Sequence, residues 1–175
     1  MAEDNWYSNG NNDWNATNAW NTQADGGGTA LTNPSDEAHV IIQGSDTITI
    51  TAALHSTIRT LTVESGSTLN GHASHPIGIT DTGNATFGTN GYSVRIHSGA
   101  TLGSNVNLII TTGASTFATL NAGSGTVNNL TINDASCEFV LQGPATLAGS
   151  LTIASGELDT HSNNYALIVA GTTSI

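Results

Sequence analysis

The chain has 175 residues, of which 9% are charged and 5% are aromatic, and its net charge is −11 because the acidic residues are balanced only by Arg59 and Arg95. A chain without lysine cannot form the basic patch that binding to nucleic acid or to an anionic membrane requires. The single cysteine, Cys137, allows no internal disulfide. Abundant Thr, Ser, Asn and Gly favour strands and turns over helices.

Residues 1–37 differ in composition from the rest of the chain. They contain all three tryptophans, Trp6, Trp14 and Trp20, and show no sustained hydrophobic period. We expect an irregular, Trp-rich N-terminal cap or attachment segment. Its indole rings have two interpretations: they form a platform that contacts a partner or a glycan, or they pack over the first strands as a hydrophobic plug. No signal peptide and no membrane-spanning run is predicted from the sequence.

A short apolar-Thr-apolar phrase recurs through residues 38–175. Its copies are Leu61-Thr-Val63, Val94-Arg-Ile96, Leu108-Ile-Ile110, Leu130-Thr-Ile132, Leu151-Thr-Ile153 and Leu167-Ile-Val169. The mean step between copies is about 21 residues, a period typical of stacked supersecondary units. The pattern predicts an all-β fold, a right-handed parallel β-helix (β-solenoid) of about six to seven coils. An antiparallel β-sandwich is the rival fold, since frequent turns suit it too.

The predicted core consists of the apolar residues at the inward positions of the repeated phrase. They are Leu61, Val63, Leu69, Val94, Ile96, Leu130, Ile132, Leu151 and Ile153. Residues 71–80 interrupt the phrase, and we expect them to form a loop inserted within one coil. Cys137 lies in an apolar run and is expected to be a small buried residue.

Few residues are candidates for chemistry. His72 and His75 have the spacing of metal ligands, but no third ligand accompanies them, so an exposed polar loop is expected. Glu157 and Asp159 lie two apart on a predicted strand and would share a face, as a carboxylate pair does in a glycosidase. Acidic sugars would also need basic residues, which are nearly absent. We therefore predict no enzyme activity, no catalytic residue, no cofactor and no bound metal.

The N-terminal segment resembles the opening of β-helical virion proteins of tailed bacteriophages. The resemblance lies in Asn5-Trp6, Asp13-Trp14 with Trp20, the glycine triplet 26–28, Asn33-Pro34-Ser-Asp36 and the strand His39-Val-Ile-Ile42. The phrase from Gly149 to Gly171 is similar to repeats in that group and in bacterial surface adhesins. The resemblance implies a structural role on a virion exterior, as a capsid decoration, fibre or spike protein assembled in the host cytoplasm. Homo-oligomers, trimers above all, are common in that group.

The expected partner is therefore a capsid or tail protein of the virion, with neither nucleic acid nor membrane as a partner. Contact with a host glycan is a further possibility. The alternative function is a bacterial surface adhesin or a carbohydrate-binding β-helix module. An ice-binding protein would need a regular threonine array, and Thr47-Ile-Thr49-Ile-Thr51 is the one good instance in the sequence.

Overall fold

The computed structural model describes residues 4–35, 38–80, 93–111, 117–123, 125–160 and 163–175. These residues form strands and no helix, so the fold is all-β. Within the same ranges, nothing resembles a helix long and apolar enough to cross a bilayer. The strands are β1 (Asp4–Ser8), β2 (Asn12–Asp13), β3 (Trp20–Asn21), β4 (Ala30–Leu31), β5 (Ala38–Ile42), β6 (Thr47–Thr49), β7 (Thr60–Val63), β8 (Thr68–Asn70), β9 (Ile77–Ile79), β10 (Val94–Ile96), β11 (Thr101–Leu102), β12 (Leu108–Ile110), β13 (Phe117–Asn121), β14 (Thr126–Val127), β15 (Leu130–Leu141), β16 (Ala145–Leu147), β17 (Leu151–Asp159), β18 (Leu167–Val169) and β19 (Thr173–Ser174).

The strands form three sheets in which parallel pairing dominates. The large sheet has the order β19-β17-β15-β13-β10-β7-β5-β1-β3-β4, and β12 lies beside it between β9 and β15. Two smaller sheets have the orders β11-β8-β6-β2 and β14-β16-β18. Among the described strands, only β3 pairs antiparallel, with β1 on one side and β4 on the other. Parallel pairing was predicted and is confirmed, and the antiparallel sandwich is wrong.

Pairing in register stacks apolar residues into columns. One column consists of Trp6, Val40, Leu61, Val94, Leu120 and Leu141. A second consists of isoleucine alone: Ile58, Ile79, Ile110, Ile132 and Ile153. Eight of the nine predicted core side chains are buried, and the ninth, Ile153, is half-buried against the core.

The copies of the repeated phrase lie in different columns. The copies at Leu61 and Val94 pair with each other, whereas those at Leu108, Leu130 and Leu151 pair elsewhere in the large sheet. The copy that begins at Leu167 belongs to the third sheet. Strands in every sheet of the stack bury alternate side chains. The same apolar-Thr-apolar phrase therefore suits all of them, whichever sheet they belong to.

The prediction that residues 71–80 form a loop is wrong for the second half of that segment. Ile77–Ile79 is strand β9, which pairs in parallel with β12. Ile77 and Ile79 are buried, and they supply inward positions like those of the other strands. Only the turn around His72 and His75 is a loop, closed by an isolated antiparallel bridge between these two residues.

A turn with a left-handed residue recurs after three successive strands of the large sheet. Ser45, Gly66 and Gly99 have φ angles of 69°, 83° and 84°, each three residues beyond the end of β5, β7 and β10. The amide of Gly66 donates a hydrogen bond to the carbonyl of Gly99 at 3.0 Å, so these turns stack as the strands do. Glycine adopts positive φ without steric cost, which accounts for its place in the repeated phrase.

The N-terminal segment joins the sheets directly. Strand β1 pairs in parallel with β5, and β2 pairs in parallel with β6. The segment 1–37, predicted to be irregular, therefore contains strands β1 to β4, and the boundary near residue 37 does not coincide with an end of the sheet. Strands β3 and β4 add antiparallel pairs at the outer edge of β1, which ends the parallel pattern there.

Candidate interaction surfaces

The three tryptophans lie in the core at the N-terminal end of the stack. Trp14 and Trp20 are 1% and 0% exposed, and their rings meet edge to face with centroids 5.0 Å apart. The indole N–H of Trp20 donates to the carbonyl oxygen of Trp14 at 2.8 Å. Trp6 is buried as well and stacks on Val40. Packing accounts for this geometry, and partner or glycan contact through these residues stays a prediction that the structure does not test.

Hydrogen bonds fasten this end to the next strands. Asp46 is the centre of the network: its Oδ2 accepts from the hydroxyl of Ser8 at 2.6 Å and from the amide of Gly10 at 3.0 Å. Asp13 accepts from the hydroxyl of Thr51 and, at 2.9 Å, from the amide of Asn15. These carboxylates are occupied by structural hydrogen bonds.

The outer face of the sheet β2-β6-β8-β11 is lined with hydroxyl and amide groups. Thr47, Thr68 and Thr101 are in register, and Thr49 is in register with Asn70, whose side-chain amide donates to the Thr49 hydroxyl at 3.2 Å. A groove of about 400 Å³ runs beside residues 11–13 and the threonines of β6. Asp13 is the one charged residue among those that line this groove, and the other residues there offer hydroxyl and amide groups.

An acidic corner lies where β15 and β17 pass from one face of the stack to the next. Four residues of β15, 134–137, stand opposite Gly156 alone, so β15 bulges outward. Beyond the bulge Glu138 is in register with Glu157, and Glu157 and Asp159 are exposed on either side of the half-buried Leu158. An open groove of about 420 Å³ lies here, lined by Glu138, Glu157 and the bulge. Glu157 is exposed to solvent in this groove, and Glu138 is half-buried beside it.

The remaining candidate residues from the sequence analysis are His72, His75 and Cys137. The rings of His72 and His75 stack with centroids 4.2 Å apart, and the amide of Ser74 donates to Nδ1 of His72 at 3.1 Å. In the described ranges no three His, Cys, Asp or Glu side chains approach closely enough to hold a metal ion together. Cys137 is 2% exposed, as predicted for a small core residue.

His97 is the residue whose protonation the fold perturbs. Burial lowers the pKa of the imidazole, and the nearby Arg95 guanidinium lowers it further, while the Glu64 carboxylate acts in the opposite direction. Its Nε2 atom is buried without a hydrogen-bond partner among the described residues. The neutral imidazole is therefore the form that the fold favours.

The opposite end of the stack exposes apolar core positions. Leu167 and Val169 continue the inward positions of Ala145 and Leu147, yet they are only half-buried. Ile175 is 94% exposed, one residue beyond the pair Thr152–Ser174. Strands β18 and β19 each pair on one side only, so their outer main-chain groups face solvent.

No family model, curated protein or solved structure matches the chain.

Some parts of these surfaces were predictable from the sequence and others were not. Glu157 and Asp159 do share one exposed face, as the spacing of two residues indicated. The pairing of Glu157 with Glu138 was missed, since the two are 19 positions apart and meet only through the register of β15 and β17. The exposed positions of β18 follow the same alternation as buried strands, so the sequence pattern contained no signal of their exposure.

Proposed function

We propose that this chain is a structural protein of a bacteriophage virion exterior, a capsid decoration or a fibre or spike component, which acts through protein–protein contacts. In this proposal the strands form a right-handed parallel β-helix, the chain is part of a homo-oligomer, and its partner is a capsid or tail protein. The proposal rests on the resemblance of the Trp-rich segment and of the Gly149–Gly171 repeat, and on the cyclic topology described next.

The order in which the chain visits the sheets supports the β-helix. Strand β7 lies in the large sheet, β8 in the second sheet and β9 beside β12, and the next three strands, β10, β11 and β12, repeat these positions. Strand β13 and the start of β15 again pair with β10 and β12, while β14, which lies between them in the chain, belongs to the third sheet. A chain that repeats one circuit with parallel pairing between circuits coils around a single axis.

This architecture suits a load-bearing external part. Each coil contacts only its neighbours, so the described stack is a rod whose lateral faces are long and regular. The threonine-lined face of β2, β6, β8 and β11 presents neutral hydrogen-bonding groups, which suit contacts that do not weaken with salt. Scarcity of cations argues against substrates and partners that are recognised by their negative charge.

The proposal is tested on purified phage particles. An antibody raised against the folded chain is applied to intact particles, and bound antibody is located by immunogold electron microscopy. We expect gold at regular positions on the capsid surface or on the tail. The matched control is the same antibody after adsorption with excess purified chain, which should remove the labelling.

Two results would refute the virion role. Particles that lack the chain by mass spectrometry after density-gradient purification would remove it from the virion altogether. Antigen found on the surface of uninfected bacterial cells would instead identify an adhesin, and binding of the purified chain to a glycan array would then define its ligand.

A further inference from the structure

Three asparagines of the chain are followed by glycine, at positions 9, 70 and 90. In such a pair the main-chain nitrogen of the glycine can attack the side-chain amide carbon of the asparagine, because glycine has no side chain that hinders the approach. Asparagine is for this reason among the thermolabile residues of proteins. Residues 90 and 91 lie outside the described residues, so the structure compares Asn9 with Asn70.

The pair Asn70–Gly71 is held against its neighbours in the stack. Asn70 is half-buried, and its side-chain amide donates to the Thr49 hydroxyl at 3.2 Å. The amide of Gly71 donates to the carbonyl oxygen of Ser104 at 3.1 Å, and a Cβ on Gly71 would overlap the carbonyl oxygen of Asn105. The nitrogen of Gly71 is therefore fixed by close packing, and a neutral carbonyl, which is a poor base, accepts its hydrogen. We expect Asn70 to keep its amide.

The pair Asn9–Gly10 lies in the turn between β1 and β2, and both residues are exposed. The side-chain amide of Asn9 makes a long hydrogen bond, 3.3 Å, to the carbonyl oxygen of Asn18. The amide of Gly10 donates at 3.0 Å to Oδ2 of Asp46, which is a carboxylate. A carboxylate can take up the proton that the nitrogen must lose when it forms a new bond. The two Asn-Gly pairs therefore differ in exposure and in the group that faces the attacking nitrogen.

We propose that Asn9 is a site of self-modification, in which the nitrogen of Gly10 attacks Cγ of Asn9 and Asp46 acts as the general base. The bond from this nitrogen to Cγ forms, and the proton of the Gly10 amide passes to Oδ2 of Asp46. The bond from Cγ to Nδ2 breaks, and Nδ2 takes up that proton and leaves as ammonia. Water then opens the five-membered succinimide ring. Addition at Cγ leaves aspartate, and addition at the main-chain carbonyl leaves isoaspartate.

The product alters the turn that joins β1 to β2. A carboxylate at position 9 cannot donate to the carbonyl oxygen of Asn18, and it adds a negative charge near Asp46 in a chain whose net charge is already −11. Isoaspartate also lengthens the main chain of the turn by one carbon. We expect this turn to loosen slowly and irreversibly as the protein ages. The modification does not depend on the proposed virion role, since it is a property of the purified chain.

Mass spectrometry of the purified chain after incubation at near-neutral pH tests the proposal. Trypsin cleaves after Arg59 and Arg95, so Asn9 and Asn70 fall in different peptides. Fragment spectra locate each amide that has become a carboxylate, and labelling by an isoaspartyl methyltransferase identifies isoaspartate. We expect Asn9 to convert at least ~10-fold faster than Asn70, because base catalysis and exposure favour position 9 alone.

The variant Asp46→Asn isolates the role of the base. Its side-chain oxygen can still accept from the amide of Gly10 and from the hydroxyl of Ser8, which both bond to Oδ2 in the wild type, but an amide is not a base. We expect conversion of Asn9 to slow by at least ~10-fold at an unchanged circular dichroism spectrum.

A control that needs no variant is the wild-type chain unfolded in urea. There Asn9 and Asn70 should convert at similar rates, because both precede glycine and no fold distinguishes them. An Asn9 that keeps its amide, equal rates at Asn9 and Asn70 in the folded chain, or an unchanged or faster rate in Asp46→Asn would each overturn the proposal.

Discussion

The isoleucine column allows one substitution to be compared at different depths of the same stack. Ile110 and Ile132 are both 0% exposed and lie between isoleucines of the neighbouring strands. Ile153 lies one strand further along the column and is half-buried. The three side chains are chemically identical and face the same interior, so truncation to alanine isolates the effect of burial.

The expected magnitudes follow from the atoms removed. Ile→Ala deletes three carbon groups, which at about 0.8 kcal/mol each gives about 2.4 kcal/mol of lost transfer free energy. A rigid stack collapses little around the vacancy, so a cavity contribution brings the cost at Ile132 to about 3–4 kcal/mol. At Ile153 about half of that transfer free energy is lost and water fills the space, so we expect about 1 kcal/mol. A loss of 3–4 kcal/mol is a large part of the about 5–15 kcal/mol that stabilises a typical domain.

Urea unfolding followed by far-ultraviolet circular dichroism measures these differences, provided that the slope with denaturant is unchanged. The control is Ile168→Ala, the same truncation at a side chain that is 60% exposed, which should cost less than about 0.5 kcal/mol. Equal losses at Ile132 and Ile168 would refute the inward assignment of the column. Equal losses at Ile132 and Ile153 would show that the stack is covered beyond β17 and β19 in solution.

Three further outcomes are expected. Asn129→Ala should lower the free energy of unfolding by about 1–3 kcal/mol, because its side chain accepts from the amide of Ser150 at 2.7 Å and donates to Asn107 at 2.8 Å; urea unfolding beside an exposed Thr101→Ala control measures this. Trp20→Phe should cost about 1 kcal/mol or more through the lost hydrogen bond to the main chain, and a redistribution of tryptophan fluorescence at unchanged circular dichroism would report it. For His97, whose folded pKa is lowered, the unfolded chain takes up the proton first, so stability should be complete above the ordinary histidine pKa of about 6.5 and fall as the pH drops below it; His97→Gln should flatten that part of the stability–pH profile, and an unchanged profile would contradict the assignment.

The fold class, the parallel pairing and most of the core were predictable from the sequence. Alternation of apolar residues with threonine specifies which side chains turn inward, and repetition of one phrase favours stacking over a sandwich. Assignment of each copy to a face was not predictable. The 14 residues from Val94 to Leu108 separate β10 and β12, which pair with different strands, whereas the 21 residues from Leu130 to Leu151 separate neighbours in one column. The local sequence pattern is the same in both cases, and only the register of strand pairing distinguishes them.

Strands β9 and β1 were missed for separate physical reasons. In β9 the middle residue is Gly78, a poor strand former, but a Cβ there would lie 2.5 Å from Cγ2 of Thr57, so close packing of the preceding loop requires glycine. In β1 the residues around Trp6 are mostly polar, and no alternation is visible over five residues. Its pairing with β5 is a tertiary effect that the local sequence does not reveal.

Register also explains why this composition is so poor in charge. Parallel strands in register place equivalent positions about 4.8 Å apart, so a charge repeated along a column meets its own kind. Two like charges at about 5 Å repel by about 1 kcal/mol even in water, and the cost recurs at every step. Threonine stacked on threonine, as at Thr47 and Thr68, and asparagine beside asparagine, as at Asn107 and Asn129, carry no such cost and gain packing or a hydrogen bond. The pair Glu138–Glu157 departs from this rule, and it lies where the bulge of β15 turns the backbone outward into solvent, which is where screening reduces the repulsion most.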